Sequence, residues 1–294
     1  MSNTHVLETE ALRIEISDAG AELVSVTDKA SGAERIWTAD PAVWNRHVPI
    51  LFPFVGRVTG GVYRLHDRAY PMKTQHGFAR DRVFSCTEES ERAVAHCLCA
   101  DEGTRGLFPW DFRLTVRHSV DPARARVLRV DWTVENRSES TMLYAIGGHP
   151  GFLMPEGAVK EDCSLVFPGK ESLRYYQADA AGFALPEQTV TLPLCEGAAP
   201  YRADIPGTWI FDAQDIDEVG IAAPDGRRWV TLRCPGFPFL AVWANAKGPF
   251  LCLEPWFGRT DEADFAGTLE EKKGMERLAG GETRRYSYEI EFHR

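Results

Sequence analysis

Two segments end an apolar run on a group that can carry a proton. The first is Gly147-Gly-His149-Pro-Gly-Phe152, directly after Met142-Leu-Tyr-Ala-Ile146. An imidazole between glycines and a proline at a strand end is placed for proton transfer rather than for packing. The second is Phe250-Leu-Cys-Leu-Glu254-Pro-Trp256, in which an apolar strand runs into a carboxyl group. The two-residue period of a strand puts Glu254 on the face shared by Phe250 and Cys252. If that face lines a core, desolvation raises the carboxyl pKa toward that of a working base. Pro255 should end the strand by removing a backbone donor, and Trp256 offers a flat surface. An exposed strand edge is the plainer alternative for Glu254, and Leu251, Leu253 and Trp256 speak against it. One His and one Glu at strand ends suit a reaction that protonates one oxygen while deprotonating another.

Two further segments supply polar groups. Val48-Pro-Ile-Leu-Phe-Pro-Phe-Val-Gly56-Arg57 is nearly all apolar until its last residue. Arg57 can place its fork in a cavity, or pair an acid at the surface. Gln75-His76-Gly-Phe-Ala-Arg80-Asp81 sets an imidazole beside an aromatic ring and a guanidinium, which suits a sugar ring; a loop His with a solvated Arg80–Asp81 pair is the alternative. There is no Gly-x-Ser-x-Gly elbow, P-loop, Gly-x-Gly-x-x-Gly turn or His-x-x-x-His spacing. The residues therefore point to acid–base chemistry on a small polar ligand, with no cofactor and no metal.

The elements that must position these groups are strands. Leu12-Arg-Ile-Glu-Ile16, Phe112–Val120, Val127–Glu135 and Tyr286–Phe292 alternate apolar and polar residues, and Val62–Leu65, a His66-Asp67 turn and Ala69-Tyr-Pro71 read as a hairpin. Val94–Ala100, Glu218–Ala222 and Trp229–Arg233 are further strands. Short strands at this spacing predict an all-β sandwich or barrel. Thr268–Leu278 has too few apolar positions for a buried helix, and a polar loop or one short turn is expected. No linker or composition break divides residues 1–294, so one domain is the reading.

Composition narrows the partners. The 294 residues are 44% apolar, enough for a sizeable core, and the formal net charge is −10. That field repels phosphodiester backbones, so nucleic acid is not expected. No apolar run approaches the roughly 20 residues that span a bilayer, and no signal-peptide pattern opens the chain. The seven cysteines include no Cys-x-x-Cys, and Cys97-x-Cys99 lacks a second ligand pair for zinc. Free thiols in a reducing cytoplasm are expected. Monomer and homodimer are both compatible with the sequence.

Together Pro49–Arg57, Gln75–Asp81, Gly148–Phe152 and Cys252–Gly258 with Asp261 resemble the aldose 1-epimerase (mutarotase) family, in its LacX-like branch. Gly20-Ala-Glu-Leu-Val-Ser25 and Lys273-Gly-Met-Glu-Arg-Leu278 fit the same branch, so the resemblance spans nearly the whole chain. It implies a galactose mutarotase-like β-sandwich, or supersandwich, of large antiparallel sheets with a sugar on a concave face. It also implies His149 as the acid that protonates the ring oxygen, and Glu254 as the base that takes the anomeric proton. Arg57 and His76 then hold sugar oxygens, with Arg80 and Trp256 beside them. The family's usual sugar-binding aspartate has no clear counterpart among Asp212, Asp215 and Asp217; Asp217 is taken as the candidate. The expected activity is interconversion of the anomers of a free hexose or related sugar. The alternatives are a hexose-6-phosphate mutarotase, with Arg57, Arg80 and Arg82 clamping the phosphate, and a sugar-binding module without turnover. As the acid, His149 is expected to hold a proton at working pH, with activity falling as pH rises past about 6.5.

Overall fold

A computed structural model describes residues 3–202 and 207–294. Nearly all regular structure is strand, and every pairing between the strands is antiparallel. One large sheet has nine strands. Its centre is formed by Arg228–Arg233, Thr283–Phe292, Val127–Asn136, Phe112–Val120 and Ala93–Cys99, and Ser85–Glu89 is an edge. A second sheet of eight strands runs through Ser172–Gln177, Trp209–Asp212, Phe239–Trp243, Phe250–Phe257, Ile146–Gly148 and Ile50–Leu51. Thr4–Glu8, Leu12–Ser17 and Glu22–Asp28 form a separate three-stranded sheet. The only α-helix among the described residues is Glu102–Arg105, and no described helix is long and apolar enough to cross a membrane.

The alternation seen in the sequence becomes burial. In Phe112–Val120 every second residue, from Phe112 to Val120, is buried, and Val130, Trp132 and Val134 repeat the pattern on the neighbouring strand. These side chains meet the inner face of the eight-stranded sheet. Leu240, Leu251 and Leu253 share one apolar cluster with Trp132 and Tyr288, and Phe257 packs on Tyr286 at 4.5 Å between centroids. Two sheets, each apolar on one face, thus bury those faces on each other. The opposite face of the eight-stranded sheet carries a second, smaller cluster that includes Leu51, Ile210, Ala241 and Trp256.

Two expectations about strand ends are corrected. Met142–Ile146 is not one strand: Met142–Tyr144 pairs with Glu276–Leu278, whereas Ile146–Gly148 joins the eight-stranded sheet. Leu278 buries fully against this pairing, so the polar stretch from Thr268 turns only as far as Met275 before a strand begins. Pro255 does not end its strand, which continues to Phe257. One flank of this strand changes partner around the proline, with Gly151–Leu153 opposite Phe250–Cys252 and Ile146–Gly147 opposite Trp256–Phe257. Pro255 falls in the lapse of that ladder, the kind of place where a missing N–H is tolerated.

The loop at residues 75–82 is pinned to the Phe52 backbone, whose carbonyl accepts from the N–H groups of Phe78 and Ala79 at 3.1 Å. Gly77 makes this approach with φ +71°, and a Cβ there would lie 2.3 Å from the Phe52 oxygen. Gly77→Ala should therefore destabilise the fold by about 2 kcal/mol or more, combining left-handed strain with a backbone clash. Chemical denaturation of the variant checks this, and a loss within experimental error of zero contradicts it.

Candidate active site

The lapse in the ladder is what exposes the chemistry. Where Ile146–Gly148 leaves the Phe250–Phe257 strand and Gly151–Leu153 rejoins it, His149 and Pro150 bridge the gap. The His149 N–H donates to the Pro49 carbonyl at 3.2 Å, and the Pro150 carbonyl accepts from Leu253 N–H at 3.3 Å. Cys252, Glu254 and Trp256 lie on one face of their strand, in register with Trp243, Ala241 and Phe239 respectively. Gly147, opposite Trp256, leaves room for the indole, since a Cβ would sit 2.6 Å from its Cδ1. The result is a cavity of about 350 Å³ on the outer face of the eight-stranded sheet, within the range of small-molecule sites.

His149 Nε2 lies 3.2 Å from Glu254 Oε2, and both groups are buried, at 7% and 1% exposure. Among the described residues neither carboxyl oxygen of Glu254 meets a protein donor in good hydrogen-bond geometry. Burial pushes the Glu254 pKa well above 4.5, opposed by the neighbouring Trp256 side chain. Burial, helped by the Arg80 charge, lowers His149 from 6.5 to about 3. Burial thus works against charge on both groups, against the protonated imidazole expected from the sequence as well as against an ionised carboxylate. Trp44 and Trp243 flank the imidazole at 4.8 Å and 5.5 Å between centroids, which explains its desolvation.

His76 stands edge-on to His149, 5.5 Å away. Its Nδ1 accepts from the Gly56 N–H at 3.0 Å, which places the ring proton on Nε2, and burial keeps the ring neutral with a pKa well below 6.5. Arg57 and Arg80 also line the cavity, as do Trp256 and Gln75. The structure therefore brings His149, Glu254, Arg57, His76, Arg80 and Trp256 to one enclosure. Arg82 is elsewhere, over the Phe78 ring and 4.0 Å from Asp101, so the three arginines do not converge. Asp81 pairs with Arg46 rather than with Arg80.

The choice of Asp217 is corrected. It is exposed and accepts from Gly236 N–H at 3.2 Å, away from the cavity lining. Asp215 is exposed too, and Asp212 is engaged by Lys273 at 2.8 Å. The aspartate at the cavity is Asp179, whose Oδ1 accepts from the N–H groups of Ala181 and Phe183, both at 2.9 Å. That turn presents Ala180–Gly182 to the cavity. Trp44, Trp243 and Thr260 were likewise not singled out from the sequence. Asp179-Ala-Ala-Gly182 carries a turn signal, but nothing local tells which turn will face a site 70 residues away.

Thr260 binds the rim together. Its hydroxyl accepts from Arg57 N–H at 2.9 Å and donates to the Gly182 carbonyl at 2.7 Å. Next to it Asp261 Oδ2 accepts from Thr59 N–H, while Oδ1 pairs with the buried Lys272 ammonium at 2.5 Å. His149, Cys252 and Glu254 have donor atoms within 4.8 Å of one another, the composition of a metal triad. Burial, with the Glu254 carboxyl beside it, pushes the Cys252 thiol well above 9.0.

This geometry meets its relatives in a family profile described as Aldose 1-epimerase, which matches residues 3–189. The chain belongs to the aldose 1-epimerase family. It is 30% identical over 97% of both chains to the chromosomal protein LacX of Lactococcus lactis subsp. lactis. Among solved structures it is similar to a galactose mutarotase related enzyme from Lactobacillus acidophilus, with a TM-score of 0.92 and 28% identity over 100% of this chain and 98% of that one. A galactose mutarotase-like protein from Lactobacillus casei superposes with a TM-score of 0.89 at 30% identity, covering 99% and 100% of the two chains. The all-β galactose mutarotase-like sandwich expected from the sequence is thus the fold of this family member.

The Asp261–Lys272 pair should be a structural keystone of the rim. Asp261→Ala leaves a buried ammonium without its carboxylate and should cost roughly 3–5 kcal/mol. Thermal and chemical denaturation of the variant measure this, and a loss below about 1 kcal/mol would show that the pair is dispensable.

Proposed function

We propose that this family member is an aldose 1-epimerase that interconverts the anomers of a free hexose or a closely related sugar, with His149 and Glu254 exchanging the protons. The observation that carries the reading is the buried His149–Glu254 contact, in which both carboxyl oxygens lack a protein donor at the wall of a sugar-sized cavity. A buried polar atom without a partner is costly, and an anomeric hydroxyl is a suitable donor to the carboxylate. The indole planes of Trp44, Trp243 and Trp256 offer apolar faces to the ring. His76 Nε2–H and the guanidinium groups of Arg57 and Arg80 offer donors to its oxygens.

The chemistry follows from proton count. Opening the hemiacetal removes a proton from the anomeric oxygen and adds one to the ring oxygen. The C1–C2 bond then rotates, and closure on the other face of the carbonyl restores the ring. One acid and one base are needed together, because either transfer alone leaves a high-energy ion. A pair holding a single proton provides both. In the free cavity burial favours that proton on Glu254. A sugar that donates to the carboxylate and accepts from His149 Nε2–H favours the ionised arrangement of the same proton, with Glu254 as base and His149 as acid. Each group contributes roughly 10²–10⁴-fold.

The pH dependence follows with its sign. The pair gains a second proton only as pH falls through the lowered His149 value of about 3, and burial moves the loss of its one proton well above the ordinary carboxyl value of 4.5. The second-order rate constant kcat/KM, which reports the free protein, should therefore stay level across neutral pH. Polarimetry or NMR on fresh α-glucose and α-galactose measures it. A steep change centred near the ordinary imidazole value would contradict the shared-proton account.

Glu254→Gln should lower turnover by 10² or more. The raised carboxyl pKa means that the fold loses stability as pH climbs above 4.5 toward the raised folded-state value. The glutamine variant lacks that loss, so its Tm should gain on the wild type as pH rises above 4.5. Full activity in this variant would exclude Glu254 as the base. Absence of anomer exchange on every free and phosphorylated aldose tested, with tight sugar binding retained, would leave a binding protein instead.

A further inference from the structure

A second cluster of titratable groups lies at the start of the chain, and none of its residues lines the sugar cavity. We infer that His5, Asp18, Cys86 and His96 form a binding site for a divalent transition-metal ion of the zinc class. His5 is on the first strand of the three-stranded sheet, and Asp18 directly follows the second. Cys86 and His96 are register partners at the edge of the nine-stranded sheet. Sequence spacing does not connect these four positions; the packing of the small sheet on the large one does.

The donor geometry suits a metal. Asp18 Oδ1 is 2.9 Å from His5 Nε2 and 3.2 Å from His96 Nε2. Donor atoms of His5, Cys86 and His96 all lie within 4.8 Å of one another. A tetrahedral ion with Zn–N distances of about 2.0–2.1 Å spaces its nitrogen and oxygen donors about 3.3 Å apart, with a longer bond to sulfur. The two contacts of Asp18 Oδ1 with the imidazole nitrogens need to lengthen by only a few tenths of an ångström to match that spacing, and the Cys86 thiol, which is grouped with the two imidazoles but not with Asp18, has to swing inward to complete the set.

The outer atoms of two ligands are already held. His5 Nδ1 lies 2.9 Å from Glu89 Oε1, and Asp18 Oδ2 accepts from Asn3 N–H at 3.1 Å. These contacts turn His5 Nε2 and Asp18 Oδ1 toward the common centre, as in carboxylate–histidine–metal arrangements. His5, Asp18 and His96 are buried, whereas Cys86 is exposed and gives an ion its way in. A carboxylate and a thiolate balance a dication, and two imidazoles complete a closed set of four, the pattern of a structural site. The ion would clamp the first strand to the Ser85–Glu89 edge.

The test uses the full-length protein after chelator treatment, titrated with zinc and separately with cobalt(II). One equivalent of zinc should bind, and cobalt should show a thiolate charge-transfer band with the intense visible bands of four-coordinate geometry. Cys86→Ser, a conservative change at an exposed position, should abolish the charge-transfer band. Glu89→Gln should weaken zinc binding by about 10-fold to 100-fold, and His5→Ala by at least as much. Glu254→Gln should leave it unchanged, which separates this site from the His149–Cys252–Glu254 group. The absence of stoichiometric zinc binding, full affinity in Cys86→Ser and His5→Ala, or loss of binding in Glu254→Gln would each overturn the assignment. The cluster would then be a carboxylate hydrogen-bonded between two imidazoles and nothing more.

Discussion

Burial of an imidazole against a carboxyl group, 3.2 Å apart and short of donors, is the constraint around which the cavity is built. Water would satisfy either group and return its pKa toward the ordinary range. Trp44, Trp243 and Trp256 pack around the pair and limit that hydration, so burial disfavours charge on either group and leaves one proton to be shared. The same desolvation destabilises the fold, and the large apolar core between the two sheets offsets it. Under the proposed function, activity and stability therefore pull against each other at Glu254.

The rest of the architecture positions that pair. A continuous ladder along Phe250–Phe257 would place backbone where the imidazole now sits. The change of partner strand between Gly148 and Gly151 opens the gap, and Pro255 is tolerated within it. The loop bearing His76 and Arg80 is fixed to the Phe52 carbonyl, and the segment bearing Arg57 is fixed by Thr260 and the Asp261–Lys272 pair. The polar rim is thus tied together by local contacts and by one between Arg57 and Thr260, 203 residues apart, all anchored to one rigid sheet.

Much of this was legible in the residues. Alternation in Phe112–Val120 and Val127–Asn136 marks strands because one face must be buried, and that signal is local. His149 and Glu254 stood out because a titratable group at the end of an apolar run has few structural uses. Asp217 misled because a cluster of aspartates in one turn looks equivalent residue by residue. Which turn meets the cavity depends on strand order, and strand order is non-local. Trp44 and Trp243 carried no signal, since an aromatic residue in a β protein is ordinarily core. The protonation of His149 is not legible in the sequence either, because a pKa is set by the groups around a side chain and the sequence shows only its neighbours along the chain.

The most direct test of the shared-proton pair is the imidazole nitrogen NMR signal of His149, followed from about pH 5 to about pH 8 with and without bound sugar. The account predicts a neutral ring throughout in the free protein, and a shift toward the protonated ring when a sugar donates to Glu254. A ring that titrates near its ordinary value of 6.5 in the free protein, unmoved by sugar, would contradict it.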